Sequence, residues 1–179
     1  MNKLIKLFLV ILIISGCIQF YGCGNPTPEN YFNTAVLNTN LLAGFAGNGF
    51  SRQLDSPLSK LSDDGQNTSQ MTRSEFIKSK TKQIEENYKK IEDLKVTDET
   101  KDIIESSKEL YKFVIPILNN EYVKLAEMYD SNAPADQIAS FTNSIQEKYS
   151  AKFKELYDAL ISNGKAYADK NKIKVHWGN

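Results

Sequence analysis

Cys17, Cys23 and His176 are the side chains here best suited to chemistry, being the only cysteines and the only histidine among 179 residues. Their number and spacing exclude more than they offer. A serine or cysteine nucleophile needs a base beside it. The one histidine lies within the last four residues, and no Gly-x-Ser-x-Gly turn occurs. A di-iron site in a helical bundle needs Glu-x-x-His on two helices, and that motif is absent, as is the Cys-x-x-Cys-His run of c-type haem attachment. A b-type haem would have to pair His176 with Met71 or Met128. The expectation is therefore no metal, no haem or other cofactor, and no catalytic residue. His176 is expected to hydrogen-bond at the end of a bundle or to face water.

Two loops have the composition of ligand loops without the pattern. Gly44-Phe45-Ala46-Gly47-Asn48-Gly49 has neither the dinucleotide nor the P-loop glycine spacing and lacks the Lys-Ser/Thr ending. It reads as a flexible helix end. Asp63-Asp64-Gly65-Gln66-Asn67 has acidic and amide oxygens but not the later ligands or terminal glutamate of a calcium loop. It reads as a solvated turn.

Cys17 is different, because the residues before it give it a role. Lys3 and Lys6 supply positive charge, and Leu4 to Ile14 is apolar apart from Lys6. A bilayer-spanning helix needs about 20 apolar residues. This run is shorter and suits the hydrophobic part of a secretory signal. It stops at Ile14-Ser15-Gly16-Cys17, which resembles the bacterial lipobox: an aliphatic residue, two small residues, and the cysteine that takes a diacylglycerol thioether. Cys23 follows Phe20-Tyr21-Gly22, and a bulky tyrosine beside the small position fits that pattern badly. The reading is a signal peptide over 1–16, lipidation at Cys17 and a tether over 17–28. Cys23 is then a lone thiol in an oxidising compartment, paired between molecules or free.

The chain has 22 basic and 22 acidic side chains. Loss of Lys3 and Lys6 with the signal leaves 20 against 22, a formal charge near −2. No strong field of either sign remains to bind nucleic acid or anionic lipid. The expected membrane contact is the N-terminal lipid itself.

From residue 29 to 179 the chain reads as a helical domain. A first helix is expected from near Glu29, with Phe32, Ala35, Val36, Leu42 and Phe45 on one face. Residues 51–71 are polar and turn-rich and read as a mobile linker, with a short helical turn around Leu54 to Leu61. Thr72-Arg73-Ser74-Glu75 has capping-box form. Ile77, Thr81, Ile84, Tyr88, Ile91 and Leu94 follow it at steps of three and four. Thr97-Asp98 is expected to cap a third helix with the stripe Ile103, Ser107, Leu110, Val114, Ile117, Leu125 and Met128. Pro116 lies inside that stripe and predicts a kink, with Asn119-Asn120 prolonging the irregularity. Pro134 opens a fourth helix carrying Ile138, Phe141, Ile145, Tyr149, Phe153, Leu156, Leu160 and Tyr167. The tail from Ile173 to Trp177 alternates apolar and polar residues and reads as an extended cap. The predicted fold is all-α: an up-down-up-down four-helix bundle with a kinked third helix. Leu110, Ile84 and Leu156 are expected in its interior.

Over roughly residues 70 to 175 the chain resembles a family of uncharacterised surface lipoproteins of spirochaetes and other Gram-negative bacteria. The lipobox carries the resemblance, with "LNNEYVKLAEMYDSNAP" before the fourth helix and the closing "FKELYDALISNGKAYADKNKIKV". It implies placement in the envelope and a helical fold, and no particular activity. Ile18 follows Cys17 where an aspartate would retain some lipoproteins at the inner membrane, so the expected address is the outer membrane or cell surface. The functional expectation is a non-enzymatic envelope lipoprotein that binds a partner or serves a structural role. The alternative is a small-ligand carrier with a cavity opened where Pro116 disturbs the packing.

Overall fold

The structure, a computed structural model, describes residues 26–62 and 65–177. Cys17, Cys23 and the Asp63-Asp64 pair lie outside them. The described chain is mostly helical, with its helices packed around a shared core and one small hairpin. No helix among the described residues is long and apolar enough to cross a membrane.

Helix α1 spans Pro28–Ala35. Thr27 caps it, its hydroxyl accepting from the Asn30 N–H at 3.3 Å, and Pro28 stands in the first turn, where its missing N–H costs nothing. Tyr31, Phe32 and Ala35 are buried. The single helix expected through Phe45 does not form. The chain tightens after Val36 into a 3₁₀ segment, Leu37–Leu42, and then turns at Gly44. Local chemistry explains the break. The Thr39 hydroxyl takes the Val36 carbonyl at 2.5 Å, and the Asn38 carbonyl accepts from the Tyr111 hydroxyl at 3.2 Å. Side chains thus bind carbonyls that an α-helix would give to its own N–H groups.

Residues 51–71, expected as a linker, hold regular structure. Helix α2 spans Asn48–Asp55 and buries Phe50 and Leu54 completely. It occupies the start of the stretch where only a helical turn around Leu54 to Leu61 was expected. Strands β1 (Ser59–Leu61) and β2 (Thr68–Gln70) then pair antiparallel, with Ser59 opposite Gln70 and Leu61 opposite Thr68. Lys60 reaches Glu75 at 2.8 Å across an exposed ion pair.

Helix α3 spans Arg73–Glu92 and opens on the expected capping box. The Thr72 hydroxyl accepts from the Glu75 N–H at 3.1 Å, and the Glu75 carboxylate accepts from the Thr72 N–H at 2.9 Å. Ile77, Thr81, Ile84 and Ile91 are buried as the stripe required, while Tyr88 and Leu94 are half-buried. Helix α4 spans Lys101–Ile117. The two threonines before it exchange hydrogen bonds: Thr97 N–H gives to the Thr100 hydroxyl at 2.9 Å and Thr100 N–H to the Thr97 hydroxyl at 3.3 Å.

Pro116 does not end the helical path. The backbone widens into a π turn over Leu118–Tyr122 and continues as α5, Val123–Asp130. Proline lacks the N–H that would bond four residues back. After it, the Asn120 amide donates to the Pro116 carbonyl at 2.6 Å, a side-chain bond within the irregular stretch. Ile117, Leu118 and Tyr122 are all buried and fill the space beside this turn.

Helix α6, Ala135–Lys170, has 36 residues and runs about 54 Å at 1.5 Å per residue. It packs chiefly on α4, while α3 lies on the other side of α4 and α5. The segment from α1 through the 3₁₀ turn packs against α3, α4 and α6. Ile84 and Leu110 are fully buried as expected, but Leu156 is only half-buried. Helix α6 has one broad neighbour, so the flank of its stripe stays near solvent. The tail leaves α6 through Lys172, in the left-handed region at φ 57°, and is anchored by the Ile173 N–H on the Ala168 carbonyl at 2.9 Å. Ile173, Val175 and Trp177 pack on the core, while Lys174 and His176 are exposed. This is the extended cap that the alternation predicts.

Candidate functional site

The C-terminal tail closes one side of a cleft of about 320 Å³. Its second side is the face of α6 that presents Tyr157, Ile161 and Lys165, and its third is the end of α1 and the 3₁₀ turn. The geometry begins with Gly164. A Cβ there would lie 2.8 Å from Val36 Cγ1, so glycine lets the end of α1 approach α6 this closely, while the Trp177 ring, 3.6 Å from that position, is at ordinary contact distance. Phe32 meets the Trp177 indole edge-on, with ring centres 5.8 Å apart and planes at 88°. The Lys165 ammonium stands over the same indole, 5.6 Å from its centre. His176 lines the mouth beside Trp177 and is exposed. The cleft therefore combines an indole, a phenol and aliphatic walls with one ammonium and one imidazole, and among the described residues no carboxylate side chain lines it.

Other clefts open on the surface of the described residues. One of about 270 Å³ lies between α2 and α6, with Asp55 and Tyr129 at its edge. The Tyr129 hydroxyl donates to Asp55, and burial, followed by that carboxylate, pushes the phenol well above its ordinary range. Another holds Met128, Lys124 and Phe141. The last, about 170 Å³, gathers Asp98, Glu99 and Asp102 near Lys170, which pairs with Glu99 at 3.4 Å.

The residues considered for haem do not converge. Met128 lines a different cleft from His176, and Met71 follows β2, next to the N-terminal end of α3. Among the described residues no three His, Cys, Asp or Glu side chains are grouped to hold a metal ion. The glycine-rich run is a tight junction between the 3₁₀ turn and α2, where Phe50 N–H and Gly47 N–H both reach the Gly44 carbonyl at 3.3 Å. Sequence reasoning missed the cleft because one of its walls, from Val36 to Asn40, is far in the chain from the other two, on α6 and the tail. The alternation of Ile173, Val175 and Trp177 was its one legible sign.

Compared with known proteins, the chain matches no family model, no curated protein and no solved structure.

Proposed function

We propose that this chain is a non-enzymatic lipoprotein of the bacterial envelope, anchored through a diacylglyceryl group on Cys17, whose helical domain binds a partner or serves a structural role. The observation that carries the reading is the apolar run from Leu4 to Ile14 ending at Ile14-Ser15-Gly16-Cys17. The resemblance to spirochaete-type surface lipoproteins supports it, and Ile18 after the cysteine favours the outer membrane or cell surface. One acyl chain gives only marginal membrane binding, and stable anchoring takes two, which a diacylglyceryl cysteine provides. On this reading the helices make an up-down-up-down bundle whose first member is the interrupted segment from α1 to α2.

Mass spectrometry of the mature N-terminus tests the anchor. The expected product begins at Cys17 and carries the mass of the lipid, and Cys17→Ser accumulates as unprocessed precursor. An unmodified Cys17, or a chain beginning at a lipidated Cys23, overturns it.

A small-ligand carrier is the second reading. The cleft beside Trp177 favours it. The turn after Pro116 does not, since Ile117, Leu118 and Tyr122 fill that region.

A further inference from the structure

We propose that the cleft between the 3₁₀ turn, α6 and the C-terminal tail binds a small apolar monocarboxylate, its carboxylate on Lys165 and its body against Tyr157, Ile161 and Trp177. The inference rests on the carrier reading above and names the ligand class for that cleft.

The order of side chains along α6 sets the polarity of the ligand. Tyr157, Ile161 and Lys165 are four residues apart and share one face. They span about 12 Å along the helix axis, with the phenol at one end, the aliphatic side chain midway and the ammonium at the other end. An extended ligand lying along this face meets apolar surface first and positive charge last.

The charge balance sets its sign. Lys165 has no carboxylate within ion-pair distance among the described residues, whereas Lys152, Lys154 and Lys170 of the same helix each have one. Its ammonium lies over the Trp177 indole instead. Among the described residues no aspartate or glutamate lines the cleft, so a bound carboxylate would be the counter-charge to Lys165. The Asn40 amide and the His176 imidazole are further hydrogen-bond donors on the lining. An amine in the same position would face the Lys165 ammonium with no carboxylate among the described lining residues to balance it.

The volume sets the size. About 320 Å³ is at the low end of small-molecule sites. It admits one aromatic ring or a short alkyl chain with its acid group. The indole is held in place by Phe32 on its edge and by the anchored tail, so one wall of the cleft is fixed before any ligand arrives.

Trp177 is the only tryptophan in the chain, so intrinsic fluorescence reads this cleft directly. The full chain in detergent is titrated with three probes of one skeleton: phenylacetate, 2-phenylethanol and phenethylamine. The expected result is a saturable change with phenylacetate, little response to phenethylamine, and about a tenfold or larger loss of phenylacetate affinity in Lys165→Met. Lys165 is exposed, so this substitution leaves the core untouched. Equal affinities for phenylacetate and 2-phenylethanol, or an unchanged phenylacetate affinity in Lys165→Met, overturn the anion assignment and leave the carrier reading standing. A Trp177 signal that none of the three probes moves overturns both.

Discussion

The Asn87 side chain donates from Nδ2 to the Tyr111 hydroxyl at 2.7 Å, joining α3 to α4 inside the core. The bond is one side of a closed ring. The Tyr111 hydroxyl donates to the Asn38 carbonyl at 3.2 Å, and the Asn38 amide returns to Asn87 Oδ1 at 2.7 Å. Asn87 and Tyr111 are buried, and each bond links a different pair of segments. A satisfied polar ring of this kind fixes the 3₁₀ turn in one register on the two helices behind it.

Asn87→Leu is therefore expected to destabilise the protein by about 2–4 kcal/mol, since it takes the donor from the Tyr111 hydroxyl, which keeps only its bond to the Asn38 carbonyl, and leaves the Asn38 amide without this partner. Tyr111→Phe removes a single oxygen and should cost less, about 1–2 kcal/mol. Urea unfolding monitored by circular dichroism measures both. Asn87→Leu matching the wild-type midpoint would show that the ring contributes nothing.

Burial also predicts sensitivity to alkali. It pushes the phenols of Tyr111 and Tyr122 up to about 12, against the smaller opposing effects of the Asn87 donor and the Ala46 N–H. The ordinary value is 10.0, so between the two the unfolded chain releases protons that the folded chain retains. Stability is thus complete below the ordinary value and declines as pH rises toward the folded one. The slope is about 1.4 kcal/mol per pH unit for each tyrosine. Unfolding free energies measured across that range should fall, and the double variant Tyr111→Phe/Tyr122→Phe should show a flatter profile.

Asp130, at the end of α5, caps α3. Its two carboxylate oxygens accept from the Arg73 N–H at 2.8 Å and the Ser74 N–H at 2.9 Å. Burial raises its pKa, but the hydrogen bonds from Ser74 and Arg73 and the Arg73 charge outweigh that and hold it below the ordinary range. The negative charge also meets the positive end of the helix dipole. Asp130→Ala should cost about 1 kcal/mol, the usual worth of a cap. A lowered carboxyl contributes stability at neutral pH and loses it as pH falls below the ordinary aspartate range. The acid limb of the stability curve should therefore be shallower in Asp130→Asn. Identical acid limbs in the two proteins would refute the cap.

The elements that sequence reasoning found were those whose signal is local. The α3 capping box needs only Thr72 and Glu75, and both of its hydrogen bonds form. The stripe of Ile77, Ile84 and Ile91 needs only helical spacing, and all three are fully buried. Asn87 lies on that same face, yet its polarity gives no hint of burial, because the partners that make burial tolerable are Tyr111 and Asn38, distant in the chain. The hairpin was invisible for another reason. All six residues of β1 and β2 are exposed, so no alternation of apolar and polar residues marks them. Helix α2 has only two buried apolar side chains, Phe50 and Leu54, in a polar run, too few to show a period. The irregularity after Pro116 was legible, because the missing proline N–H is a property of one residue. Its form, a π turn closed by Asn120, depends on the packing of Leu118 and Tyr122.

Gly44 and Gly49 give the sharpest test of how the first third of the domain is built. Their backbones touch: a Cβ on Gly44 would lie 2.7 Å from the Gly49 Cα, and one on Gly49 would lie 2.5 Å from the Gly44 Cα. Gly44 also adopts φ +85°, where any side chain is strained. The approach aims the next residues inward. Ala46 N–H reaches the Tyr122 hydroxyl at 3.0 Å, and Phe45 and Phe50 pack on the same ring at 5.7 Å and 5.3 Å. Gly44→Ala and Gly49→Ala should each cost about 2 kcal/mol or more, because backbone must move against backbone. Gly47 lies between them with nothing nearer than 3.9 Å to an added Cβ, so Gly47→Ala should cost less than about 1 kcal/mol. Near-ultraviolet circular dichroism and urea unfolding on the three variants separate the cases. A flexible glycine end would tolerate all three substitutions alike, whereas the junction seen here tolerates only the middle one.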